Sequence, residues 1–222
     1  ADVIKIEPPD GDITRFQSPR RNSMPSYYVQ QNVGKRSVSL DLAREEGAAI
    51  ALQLAARGDV IVENFRPGVM AKFGLSYDDV AAVNPRIVYA SITGFGATGP
   101  WRERRAYAPV VQAETGLTKS QGDHGRGGVY RTDRHSHADL YTSLDAAAGV
   151  LAALYQRERT GRGQWIDIAM AQVMLYVNEH VHDELYDGEV DPNWVRSFGN
   201  EHQPVVTLAD GTSMAIAGHP AA

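Results

Sequence analysis

Asp139 is the residue of this chain best placed to do chemistry. It stands directly before an apolar run in which Leu140, Leu144, Ala147, Ala148, Leu151 and Leu154 recur at helical spacing. A carboxylate at that point can accept bonds from free backbone N–H groups and act as an N-cap. The same N–H groups would hold it ionised, and an ionised carboxylate can attack an activated acyl group. Local sequence favours the plain cap, and the two readings share one geometry. Thr160-Gly161-Arg162-Gly163 then stops the helix, and Trp165 to Met170 resumes with strand alternation.

Other candidates are weaker. Glu63-Asn64-Phe65-Arg66-Pro67-Gly68 follows an apolar strand and precedes a helix, the usual ligand position of an open α/β sheet. There Asn64 can bond a base or amide, Phe65 can stack on a ring and Arg66 can meet a phosphate; an ordinary strand-to-helix turn fits equally well. Gly94-Phe95-Gly96-Ala97-Thr98-Gly99 matches GxGxxG, but Pro100 to Arg105 follows it in place of the helix a dinucleotide site needs. Basic clusters at Lys35-Arg36, Arg102 to Arg105 and Arg157 to Arg162 read as solvated charge, unless a phosphorylated ligand uses some of them. His180 and His182 on a helix would point to different faces. His135 and His137 can share a face in extended chain, but no third ligand has clear metal-site spacing, so no metal is expected.

The elements that must position these residues alternate. Ala1 to Glu7 and Lys35 to Leu42 read as strands joined by a long polar connection, 8–32. Ala43 to Arg57 reads as a helix, Asp59 to Glu63 as a short buried strand, Gly68 to Phe73 as a short helix. Ser76 caps another helix ending near Asn84-Pro85, and Arg86 to Ile92 is the next strand. Residues 117–134, rich in glycine, read as loop. Ala171 to Tyr186 reads as a helix, and Pro204 to Ala217 as strands around Asp210-Gly211. Strands separated by helices predict an α/β fold with an open parallel sheet.

The 222 residues, 43% hydrophobic, suffice for one sizeable core and part of another. A net charge of −5 gives no general pull toward nucleic acid or anionic membrane. The absence of cysteine excludes disulfides, thiolate metal sites and a Cys nucleophile. No apolar run has the length of a membrane span. A cytoplasmic protein is the default. The chain starts inside a strand without Met and stops in a turn, so truncation at both ends is expected.

ADVIKIE, GKRSVSLDL, VENFRPG, NPRIVYASITGFGATGP and RERTGRGQWIDIAM, in this order, resemble the class III CoA-transferases. That family includes formyl-CoA transferase, carnitine CoA-transferase and the α-methylacyl-CoA racemases. The resemblance runs to about Met170 and fades afterwards. It implies a large Rossmann-like domain and a smaller one, in two chains interlocked as a homodimer. On that reading residues 1–186 form the large CoA-binding domain without its first strand and helix, 187–203 a linker, and 204–222 the start of the small domain. The family's catalytic Asp falls on Asp139, since Asp145 is at the wrong distance. In the transferases this Asp attacks an acyl-CoA to give a mixed anhydride, then an aspartyl-CoA thioester from which a small carboxylic acid takes the CoA. Coenzyme A is then substrate, with no metal. The CoA contacts carry over to Leu40, Asn64, Phe65 and Lys72, which replaces an Arg-type residue; Arg66 stands beside them, and Arg105 occupies a position basic in formyl-CoA transferase. Where the racemases place His-Asp, this chain has Tyr107-Ala108. Tyr107 matches the Tyr of the transferases, and Ala108 departs from the acidic residue that usually follows it. Arg134, His135 and His137 lie in a polar approach to Asp139 and are candidates for placing a polar acid; a solvated or dimer-facing strand is the plainer explanation. Gly199-Asn200-Glu201-His202 resembles a GN-x-H turn of the family. The expected function is CoA transfer; the alternatives are an acyl-CoA racemase or a non-catalytic CoA-binding dimer.

Overall fold

In the computed structural model, residues 1–178 and 205–215 are described. Strand β1 (Ile4–Glu7) pairs in parallel with β4 (Arg36–Ser39), with Ile4 opposite Arg36 and Glu7 opposite Ser39. The stretch between them is more than a polar connection. It forms a 3-10 turn at Ile13–Phe16, a two-residue antiparallel pair β2 (Arg20–Arg21) and β3 (Met24–Pro25), and helix α1 (Ser26–Asn32). Glu7 organises it. The carboxylate is buried and accepts from Arg15 Nε at 2.7 Å and Nη2 at 2.9 Å, Tyr28 Oη at 3.0 Å, Ser37 Oγ at 2.7 Å and the Asp12 N–H at 3.0 Å. A buried charge survives only when paired and fully bonded, and this one is both. The Arg15 guanidinium, against the cost of burial, holds the Glu7 carboxyl far below its ordinary range.

Helix α2 (Glu45–Ala55), strand β5 (Val60–Glu63), helices α3 (Val69–Lys72) and α4 (Tyr77–Val83), and strand β6 (Val88–Thr93) follow. Ser76 and Asp79 form a reciprocal capping box that starts α4. Strands β5, β6 and β7 (Gln164–Ala169) make a three-stranded parallel sheet in that order. Among the described residues only β6 of this sheet has neighbours on both sides, and its Val88, Tyr89 and Ala90 are buried. The expected burial of β5 does not hold: as an edge strand it leaves Val62 60% exposed.

Helices α5 (Ala108–Glu114), α6 (Leu117–Gly125), α7 (His137–Thr160) and α8 (Met170–Val177) complete the layer around this sheet. Two expectations are corrected here, and one feature is added. Part of the supposed loop 117–134 is helical as α6. Its Gly122 marks close packing, since a Cβ there would lie 2.4 Å from the Tyr130 ring. Next, α7 begins at His137 with Ser136 as its N-cap residue, so Asp139 is the third residue of the helix and not its cap. The helix starts early because Ala138 is fully buried against Ala108 and Val111 of α5. Finally, α7 buries its small side chains, Ala138, Thr142, Ala146 and Ala153, whereas Leu140, Leu144 and Leu151 face outward. Ala146 packs with Ala90 and Ile168 on the sheet.

The end of α7 is fixed by Arg157, which is buried rather than solvated. It donates to Asp59 Oδ1 at 2.9 Å and to the carbonyls of Asp59 and Arg86. Gly163, in the turn before β7, has no room for a side chain: a Cβ would lie 1.8 Å from the Ile87 carbonyl oxygen. Strands β8 (Val205–Thr207) and β9 (Ser213–Ala215) form an antiparallel pair about Asp210-Gly211, as expected. The proposed domain limits at 186/187 and 203/204, and the histidines at 180, 182 and 202, lie outside the described residues. No helix among the described residues is long and apolar enough to cross a membrane.

The folded-state titration of Glu7 lies below its ordinary value of 4.5. Its contribution to stability is therefore complete above that pH and lost as pH falls toward the folded value. Glu7→Gln should be less stable than wild type at neutral pH and lose less on acidification below about pH 4.5. Melting temperatures of both proteins across that window check this; parallel acid losses would contradict it.

Candidate active site

Asp139 sits in the first turn of α7, where the helix dipole favours a negative charge. The side chain reaches solvent, yet its surroundings remove enough water to raise its titration above the ordinary 3.8. A hydrogen bond with the Ser136 side chain works the other way and is outweighed. The expected hold of backbone N–H groups on the anion is not what sets its titration: burial dominates. A carboxylate of raised basicity is a better nucleophile once ionised.

Tyr107 occupies the N-cap position of α5 and is 78% exposed. Its neighbour Ala108 and Asp139's neighbour Ala138 share one buried cluster with Val111. The Ala138 N–H also points to Gln112 Oε1 at 3.5 Å. The fold therefore brings the starts of α5 and α7 together, with Tyr107 and Asp139 each one residue from the contact.

The proposed CoA residues divide into groups. Lys72 lines a cleft of about 410 Å³ with Leu42, Arg44, Leu52 and Phe73. Phe65 meets Phe73 edge to face at 6.4 Å, which brings the 63–68 turn beside that cleft. Leu40, half-buried, stands just after β4 and donates its N–H to the Glu7 carbonyl at 2.9 Å. Asn64, Arg66 and Arg105 are exposed. Neither Asp139, Tyr107 nor Arg105 lines this cleft. A smaller one, about 200 Å³, is lined by Asp145, Asp167, Gln172 and Tyr176.

The register of the parallel sheet supplies residues that sequence reading missed. Glu63, Ser91 and Asp167 lie side by side on β5, β6 and β7. Trp165 Nε1 donates to Ser91 Oγ at 3.0 Å, and the Ser91 side chain in turn bonds Glu63. Glu63 accepts the Phe65 N–H at 2.9 Å, fixing the turn that carries Asn64 and Phe65. Burial pushes the Glu63 carboxyl up against those two bonds, and the Asp167 charge adds to the rise. Asp167 accepts the Ala97 N–H at 3.0 Å and so holds the glycine turn after β6. That turn passes close to its neighbours: a Cβ on Gly94 would lie 2.1 Å from that of Ala106. No helix opens there before α5, so the GxGxxG match lacks its dinucleotide context. The only sequence signal for the row was a polar residue within each apolar strand, at the end of β5 and two residues before the end of β6 and β7.

Asp133, His135 and His137 also gather, their ligand atoms all within 4.8 Å of one another. The third group missing from the sequence reading is thus Asp133, two residues before His135. Arg134 is exposed. Gly199 to His202 lies outside the described residues.

Comparison with known proteins places this geometry. The family model described as "CoA-transferase family III" matches residues 1–221. The chain is 44% identical over 176 residues to formyl-CoA:oxalate CoA-transferase of Streptomyces avermitilis, covering 79% of this chain and 42% of that one. It is 40% identical over 183 residues to the succinyl-CoA–L-malate CoA-transferase beta subunit of Chloroflexus aurantiacus, covering 82% and 45%. A crystal structure of a CAIB/BAIF family protein from Brucella suis superposes with a TM-score of 0.78 at 37% identity, covering 85% and 51%. The chain belongs to CoA-transferase family III. It spans about half the length of the curated relatives it matches.

The Glu63 bond to the Phe65 amide has a direct consequence. Glu63→Ala should speed hydrogen exchange at Phe65 about fivefold, the loss of about 1 kcal/mol of local hydrogen bonding. Glu63→Gln keeps an acceptor and should restore most of the protection. Unchanged exchange in the alanine variant would show that the turn holds without Glu63.

Proposed function

We propose that this protein is a CoA-transferase in which Asp139 is the nucleophile. The observation that carries the reading is the placement of Asp139 in the first turn of α7, beside the start of α5 and Tyr107, in a member of CoA-transferase family III. An Asp139 carboxylate oxygen attacks the thioester carbonyl of an acyl-CoA. The C–S bond breaks and CoA leaves as thiolate, giving an aspartyl–acyl mixed anhydride. The thiolate attacks the aspartyl carbonyl, forms an aspartyl-CoA thioester and releases the donor acid. An acceptor carboxylate displaces CoA as a second mixed anhydride, and the retained thiolate takes the acceptor acyl group and frees Asp139. Holding the thiolate nearby makes each return step effectively unimolecular.

Lys72 and Phe65, with Leu40, Asn64 and Arg66, bind the CoA moiety; the cleft beside Lys72 and the fixed 63–68 turn support this role. Arg105 adds positive charge on the approach to Tyr107. Tyr107 stands where the racemases resemble one another in placing a histidine, which favours transfer over two-base epimerisation. The acceptor is a small carboxylic acid. Oxalate and L-malate, named for relatives, are the first to test. The outward Leu140, Leu144 and Leu151 of α7 leave an apolar face consistent with an interlocked homodimer. Division into a large domain to residue 186, a linker and a small domain from 204, and a cytoplasmic location, belong to the same proposal.

The test is CoA exchange between an acyl-CoA and free acids. Asp139→Asn should reduce turnover by about a thousandfold or more, as loss of a covalent nucleophile does. The acid limb of the wild-type rate profile should lie above 3.8, because the carboxylate must be ionised and its titration is raised. Ser136→Ala removes the opposing hydrogen bond and should move that limb further up. Full turnover by Asp139→Asn would overturn the proposal.

A further inference from the structure

The segment leading into α7 carries a cluster that acyl transfer does not use. Asp133 Oδ1 lies 3.1 Å from His135 Nδ1, and Asp133 Oδ2 lies 3.5 Å from His137 Nε2. Two donors on one tetrahedral zinc, each bonded at about 2.0–2.1 Å, are about 3.4 Å apart. Each imidazole nitrogen thus stands about that far from one of the two Asp133 oxygens, and one ligand atom from each of the three residues lies within 4.8 Å of the others. The backbone bends at Arg134 and His135, where the His135 N–H bonds Asp133 Oδ1 at 2.9 Å and folds the imidazole back beside that carboxylate; His137 joins them as α7 begins.

The ligands are also held by other groups. Asp133 is 13% exposed and accepts from Gln121 Nε2 at 3.1 Å, Arg126 Nη2 at 2.7 Å and the His135 N–H at 2.9 Å. The His137 ring stacks on Tyr141, with centroids 5.8 Å apart and planes 13° from parallel. Outer partners of this kind orient metal ligands. The His135 side chain is 73% exposed, which leaves the remaining coordination positions open to water.

We infer that Asp133, His135 and His137 bind one divalent transition-metal ion of the zinc class. Two imidazoles and a carboxylate, with no thiolate, suit Zn²⁺ or Co²⁺ better than Cu⁺ or Ca²⁺. The ion ties the polar segment to the first turn of α7, two residues before Asp139. Arg126 opposes it: its guanidinium bonds the same carboxylate and repels a second cation. Arg126 and the metal compete for Asp133, which gives the inference a sign that a hydrogen-bonded clamp lacks.

The experiment titrates chelator-treated protein with Co²⁺, read by visible absorption, and with Zn²⁺, read by calorimetry. One ion should bind per chain. Asp133→Asn, His135→Gln and His137→Gln should each weaken binding about tenfold or more. Arg126→Gln should tighten it, and a His180→Gln/His182→Gln double variant should leave it unchanged. Absence of a cobalt band in the wild type, or a band that survives in both Asp133→Asn and His135→Gln, would overturn the inference.

Discussion

The position of Asp139 depends on how closely α7 can approach the sheet. That 24-residue helix runs roughly 36 Å, and its buried side is almost all small residues: Ala138, Thr142, Ala146 and Ala153. Small side chains let the helix backbone lie near β6 and β7, with Ala146 against Ala90 and Ile168. Each end is pinned separately. Ala138 packs under α5 at one end, and Arg157 bonds the carbonyls of Asp59 and Arg86 at the other. Substituting a leucine into the small face would push the helix outward and carry Asp139 with it.

Three influences meet at the Asp139 carboxyl. The α7 dipole and the Ser136 side chain favour the anion, and partial loss of water disfavours it. Desolvation wins, although the side chain keeps access to solvent. The carboxylate is thus left without the several donors that tie up other acidic groups of the chain. Glu7 and Asp133 show the opposite arrangement. Glu7 is held down chiefly by Arg15, and Asp133 chiefly by the His135 N–H, with further donors on each. Carboxylates engaged that way stabilise structure and make poor nucleophiles.

The residues that sequence reading placed well are those whose local pattern decides their structure. The Ser76 capping box, the glycine stop at Gly161 and the alternation of β7 all depend on near neighbours. What escaped depends on distant ones. Gly122 reads as a loop former until Tyr130 is seen to lie against it. Leu140, Leu144 and Leu151 show the helical spacing but not the buried face, because the sheet selects the small face of α7. The Glu63–Ser91–Asp167 row exists only through parallel register, which no single strand encodes. Asp139 itself was found by its place at a helix start, although the cap is Ser136, three residues earlier. Its chemical role came from the resemblance of five ordered motifs, since a carboxylate at a helix start has no local mark of catalysis.

The central claim is that Asp139 becomes covalently acylated. Hydroxylamine trapping with a panel of acyl-CoA thioesters, read by peptide mass spectrometry, tests it most directly. A hydroxamate on the peptide containing Asp139, formed only with acyl-CoA present and absent from Asp139→Asn, is the predicted result. No adduct with any thioester, despite measurable CoA binding, would contradict the account and leave a CoA-binding protein whose Asp139 serves the helix alone.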